Sequence, residues 1–87
     1  MATRSSMDAF LQRCEDTLRN AQEQYLAGQR QEHYHDLEYT QSLQGLEDVI
    51  SELQIMAHSA NAQQREQLYR MRLQIEQLQN KMILLNH

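Results

Sequence analysis

Eighty-seven residues with no proline, two glycines and a single cysteine leave room for one domain and exclude a disulfide framework. The net charge of -4 argues against nucleic acid as the main ligand, and one unpaired cysteine makes the reducing cytosol the expected compartment. The start, MATRSSMDAF, has no apolar h-region, and the longest apolar run, Met82 to Leu85, is far too short to span a bilayer, so no secretory leader and no membrane are expected.

Glutamine, glutamate, leucine, alanine and arginine dominate, and all favour helix, so the chain reads as all-α. The first helix is expected over about residues 5–29, with Ser5 as its cap and Asp8 in the first turn, where the helix dipole favours a negative charge. Apolar residues then step by four and three along a heptad seam: Met7, Leu11, Cys14, Leu18, Ala21 and Tyr25. The next seam positions, Gly28, Glu32 and His35, are poor core residues.

The seam resumes in a second helix over about 31–57 with Tyr39, Leu46, Val49, Leu53 and Met56, widened by Leu43 and Ile50. A break follows at 58–61. Asn61, with Gln64 three residues on, forms a capping-box pattern that opens a third helix over about 62–86. That helix has the cleanest seam: Leu68, Met71, Ile75, Leu78, Met82 and Leu85. Its spacing is that of a partner-helix surface, but an intramolecular core is the simpler reading.

Two architectures fit. Breaks near Gly28 and at 58–61 give an antiparallel three-helix bundle. A helix unbroken from 5 to 57 would be roughly 80 Å long and would form a coiled-coil hairpin, with the seam from Met7 to Tyr25 exposed unless another chain covered it. Three helices of nearly equal length cover one another unaided, and the bundle is the expected fold. Charge is also partitioned. Residues 1–58 hold ten acidic and four basic groups, whereas residues 59–87 hold two acidic and four basic. An acidic segment is thus expected beside a basic one, within the chain or between chains.

The stretch QEHYHDLEY at 31–39 is the densest in chemistry-bearing side chains. Glu32 and His35 form an E-x-x-H pair, a spacing used twice in di-iron carboxylate bundles together with two further glutamates, but here it occurs once. His33 and His35 point roughly 200° apart on a helix and cannot share a metal there. A solvated stretch is the simpler reading. Cys14, on the seam, reads as a small buried hydrophobe before it reads as a redox thiol. His58 and Ser59 are neighbours with no third triad member, so Ser59 reads as a turn residue. Arg65, Arg70 and Arg72 make the last helix mildly basic around Tyr69, but Glu66 and Glu76 lie at salt-bridge spacing.

MATRSS at the start, QEHY at 31–34 and HSANAQQREQLYRMRLQIEQLQNKMIL at 58–84 resemble the YtzC-like family of Bacillus and related spore-forming Firmicutes over nearly the whole chain. The resemblance implies a small, soluble, bacterial helical protein and transfers no catalytic residue, metal ligand or cofactor. The expectation is a non-enzymatic cytoplasmic module that binds itself or another protein through a heptad seam. Metal or redox binding through Glu32, His35 and Cys14 is the alternative. Weak nucleic-acid binding through Arg65, Arg70 and Arg72 comes third.

Overall fold

A computed structural model of the chain describes residues 3–31 and 37–85. Three helices run in order: α1 (Arg4–Gln31), α2 (Leu37–Ala57) and α3 (Ala62–Leu85). Each packs against both of the others, and the molecule measures 43 × 19 × 15 Å. The fold is therefore an all-α three-helix bundle. A rod of roughly 80 Å, as the hairpin would require, does not fit these dimensions.

Cross-helix contacts fix the directions. Arg13 of α1 pairs with Glu52 of α2, and Thr17 lies 3.7 Å from the position a Cβ on Gly45 would take. Higher numbers on α1 thus meet lower numbers on α2, which is the antiparallel sense. Tyr39 and Glu47 of α2 meet Met82 and Gln79 of α3 in the same sense. α1 and α3 are then parallel, and Arg4, Met7 and Asp8 line one cleft with Asn61, Gln64 and Gln67.

Two boundaries differ from expectation. Thr3, not Ser5, caps α1: the Ser6 backbone N–H donates to Thr3 Oγ1 at 3.1 Å, and the Met7 N–H donates to the Thr3 carbonyl at 3.0 Å. The Ser6 hydroxyl donates back to the Thr3 carbonyl at 3.0 Å, closing the turn two residues earlier than a Ser5 cap would. At its other end α1 passes through Gly28 and continues to Gln31, which was expected to begin the second helix. Gly28 is buried. A glycine there costs helix propensity, yet the helix continues through it.

The turn into α3 follows the sequence pattern. The Gln64 N–H donates to Asn61 Oδ1 at 2.8 Å, and the Asn61 N–H donates to Gln64 Oε1 at 3.0 Å. This is a reciprocal capping box. α2 closes with tighter bonds, from His58 N–H to the Ile55 carbonyl and from Ser59 N–H to the Met56 carbonyl, both 3.2 Å.

The core collects the expected stripes. Met7, Cys14 and Ala21 from α1 are buried with Tyr39, Leu46, Val49, Ile50 and Leu53 from α2 and Leu68, Met71, Ile75, Leu78 and Met82 from α3. Leu11, Leu18, Tyr25, Leu43, Met56 and Leu85 pack against it half-buried. Phe10 is buried too, although it lies off the strict heptad. A helix of 3.6 residues per turn in a globular bundle buries a wider stripe than a two-position seam.

Candidate functional site

Most of the residues singled out from the sequence do not converge. Glu32, His33 and His35 lie outside the described residues, as does most of the 31–39 stretch. Among the described residues no group of three or more histidine, cysteine, aspartate and glutamate side chains is placed to hold a metal ion. His58 and Ser59 are exposed in the turn after α2, where the Ser59 hydroxyl donates to the Met56 carbonyl at 3.4 Å. Ser59 therefore acts in the turn.

Cys14 has no solvent exposure. Burial pushes its thiol up to about 11; Arg13 opposes this weakly, and Glu15 adds to it. A thiol so disposed is a poor nucleophile, because the thiolate is the reactive form. The Arg13 side chain turns away from the core. It pairs with Glu52 and lies over the Phe10 ring at 5.3 Å from the centroid.

The stripe Leu68, Met71, Ile75, Leu78, Met82 and Leu85 faces α1 and α2. Five of the six are buried and Leu85 is half-buried. In this fold it serves the chain's own core. On the outer face of α3, Arg70 pairs with Glu66 at 2.7 Å and Arg72 with Glu76 at 2.9 Å. Among the described residues the ion pairs of α3 stay within α3, so the acidic first half and the basic last helix do not neutralise each other. Arg65, Tyr69 and Arg72 border a cleft of about 210 Å³ floored by Leu53, Ala57 and Leu68.

Two surface features remain. The first is apolar. Leu26 near the end of α1, Leu37 at the start of α2, and Ile83 and Leu84 at the end of α3 are all exposed, Leu37 at 70% and Leu84 at 72%. The antiparallel topology brings these three helix ends to one end of the bundle. The pattern that could have shown this is the absence of polar residues from Met82 to Leu85. A helix with one buried stripe needs no such run.

The second feature is a polar groove of about 500 Å³ between α1 and α2, lined by Asp16, Asn20, Gln24, Glu38, Gln41 and Ser42. It exists because Thr17, Ser42 and Gly45 put short side chains where larger ones would close the seam. The sequence singles out neither Ser42 nor Gly45 as a site residue, and the groove is not expected from it.

A family model described as "Protein of unknown function (DUF2524)" matches residues 1–84. The chain belongs to that family. It is also 51% identical over 84 residues to the "Uncharacterized protein YtzC" of Bacillus subtilis (strain 168), covering 97% of this chain and 93% of that protein. The resemblance read from the sequence is thereby borne out. No solved structure matches the chain. No described helix is long and apolar enough to cross a membrane.

Proposed function

We propose that this member of the family is a non-enzymatic, cytosolic helical module that binds a second copy of itself or another protein through apolar side chains its own fold leaves uncovered. The observation that supports this reading is the set Leu26, Leu37, Ile83 and Leu84, exposed together at one end of the bundle. Large exposed apolar groups scattered singly are ordinary, but several gathered on one surface mark an interaction site. The heptad stripes are spent on the core, so the docking surface is this end of the bundle and not the α3 seam. A chain of this size buries a limited share of its own surface, and a partner adds what the core lacks.

The test is sedimentation velocity over a wide concentration range, with wild type beside a Leu37→Ser/Leu84→Ser variant. Both positions are exposed, so the variant should keep its helicity by circular dichroism. Concentration-dependent association that the variant loses supports self-association. A wild type that stays monomeric leaves the heterologous form, which predicts a protein captured from a Bacillus lysate by wild type and not by the variant. Monomeric behaviour with no such difference in capture removes the proposal.

A further inference from the structure

We infer that the outer face of α3 is a second docking surface, on which a second copy of this chain lays its own α3 antiparallel across a two-fold axis at Leu73. α3 carries two apolar stripes. One is the core stripe. The other is Tyr69, Leu73 and Leu84, exposed by 60%, 42% and 72%. Leu73 follows Tyr69 by four residues and precedes Leu84 by eleven. Those intervals are close to one and three full turns, so the three share a side of the helix. Glu66, Arg70, Gln77 and Lys81 flank the stripe and are exposed as well.

The charges select the occupant and its direction. A two-fold interface is self-complementary: where one residue meets a second, that second meets the first. Leu73 stands at the middle of α3, eleven residues from Ala62 and twelve from Leu85. Antiparallel pairing about that point makes the two Leu73 side chains neighbours. It sets each residue before Leu73 opposite one about as far beyond it. Glu66 then meets Lys81 of the second copy, twice by symmetry, and Arg70 meets Gln77. Lys81 has no ion pair among the described residues. Glu66 holds Arg70 at 2.7 Å through Oε1, which leaves Oε2 for the second cation. A parallel pair would instead set Glu66 against Glu66 and Lys81 against Lys81, and like charges in register repel. Charges flanking an apolar stripe fix partner and orientation in coiled coils in this way. Only Leu84, at the margin of this face, also belongs to the apolar set at the end of the bundle.

Sedimentation equilibrium of the full chain up to millimolar concentration tests this, and a monomer–dimer equilibrium is expected. Leu73→Ser should weaken the dimer by at least about tenfold, since the central contact is lost from both copies. Lys81→Glu should weaken it about tenfold, because two attractive pairs become repulsive, and adding Glu66→Lys should restore it. Leu37→Ser, on α2 and away from this face, should leave it in place. Circular dichroism should show every variant as helical as wild type, since all four side chains are exposed. A wild type that stays monomeric, a dimer indifferent to Leu73→Ser, or a double variant no tighter than Lys81→Glu would each overturn the inference. A dimer lost in Leu37→Ser and kept in Leu73→Ser would also overturn it, and would support docking at the end of the bundle instead.

Discussion

The Tyr39 phenol has no solvent exposure and donates to the Met82 carbonyl at 2.7 Å. Met82 lies in the last described turn of α3. One side chain of α2 thus bonds the last described turn of α3 from inside the core. Tyr39→Phe keeps the ring and removes the donor. It should cost about 1–3 kcal/mol in urea denaturation, and an unchanged midpoint would show the carbonyl satisfied some other way. Burial also pushes this phenol up to about 12, with Tyr25 adding to it, and pushes the Cys14 thiol from 9.0 up to about 11. Both groups are acids whose folded values are raised. The native state therefore holds protons that the unfolded chain has released, and stability falls as pH rises through the window. For Cys14 that window runs from 9.0 to about 11, and the loss across it is up to about 3 kcal/mol. Cys14→Ala should be less stable than wild type at neutral pH because of the cavity, and should lose less between pH 9 and 11. Parallel pH profiles of the urea midpoint would contradict the buried neutral thiol.

Among the described residues, three helix ends are set by different local devices. α1 opens on Thr3 and α3 on the Asn61–Gln64 box, whereas α2 ends through shortened backbone bonds at 55–58 and 56–59. Asn61→Ala removes the acceptor of the Gln64 N–H and should destabilise the protein by about 1 kcal/mol. In a domain of this size that lowers the melting temperature by about 4–8 °C. A calorimetric trace that overlays wild type would mean the box contributes nothing to holding α3 against the turn. Gly28 and Gly45 show the other side of element formation. Both sit within helices, so neither acts as a terminator. Gly28 is buried, and at Gly45 the absent side chain admits Thr17 of the facing helix.

At the scale of the molecule, antiparallel packing of α1 on α2 makes residues distant in sequence into neighbours. Thr17 and Gly45 meet across the helix pair. In a continuous rod they would stand 28 residues apart, about 42 Å. A Thr17→Cys/Gly45→Cys variant in a Cys14→Ala background should therefore form an intrachain disulfide under mild oxidation. It would appear as a faster-migrating monomer without reductant. Cross-linked dimer alone would favour the extended hairpin. The same packing decides the fate of the surface. It brings three helix ends that carry exposed apolar side chains to one end of the bundle and leaves a polar groove where α1 and α2 carry short side chains. It also separates the acidic first two helices from the outward arginines of α3, each of which has a neutralising glutamate on its own helix or none.

The residue pattern by itself determined the helical class, the three apolar stripes, the Asn61 cap and the family, because each is local: propensity, period and identity are properties of the chain in one dimension. It also foresaw Cys14 as core and Ser59 as a turn residue, from their positions in those patterns. The strict heptad missed Phe10, because the width of a buried stripe depends on how many helices surround it. Gly28 looked like a breaker because glycine is costly in a helix, yet α1 runs through it to Gln31. The α3 seam was consistent with a partner as well as with the favoured reading, the chain's own core, since periodicity states that a face is covered and not by what. Only the tertiary structure decided that α1 and α2 cover it. That packing also brought Asp16, Ser42 and Glu38 to one groove, and Leu26, Leu37 and Leu84 to one end, because side chains from separate helices become neighbours only when the helices dock.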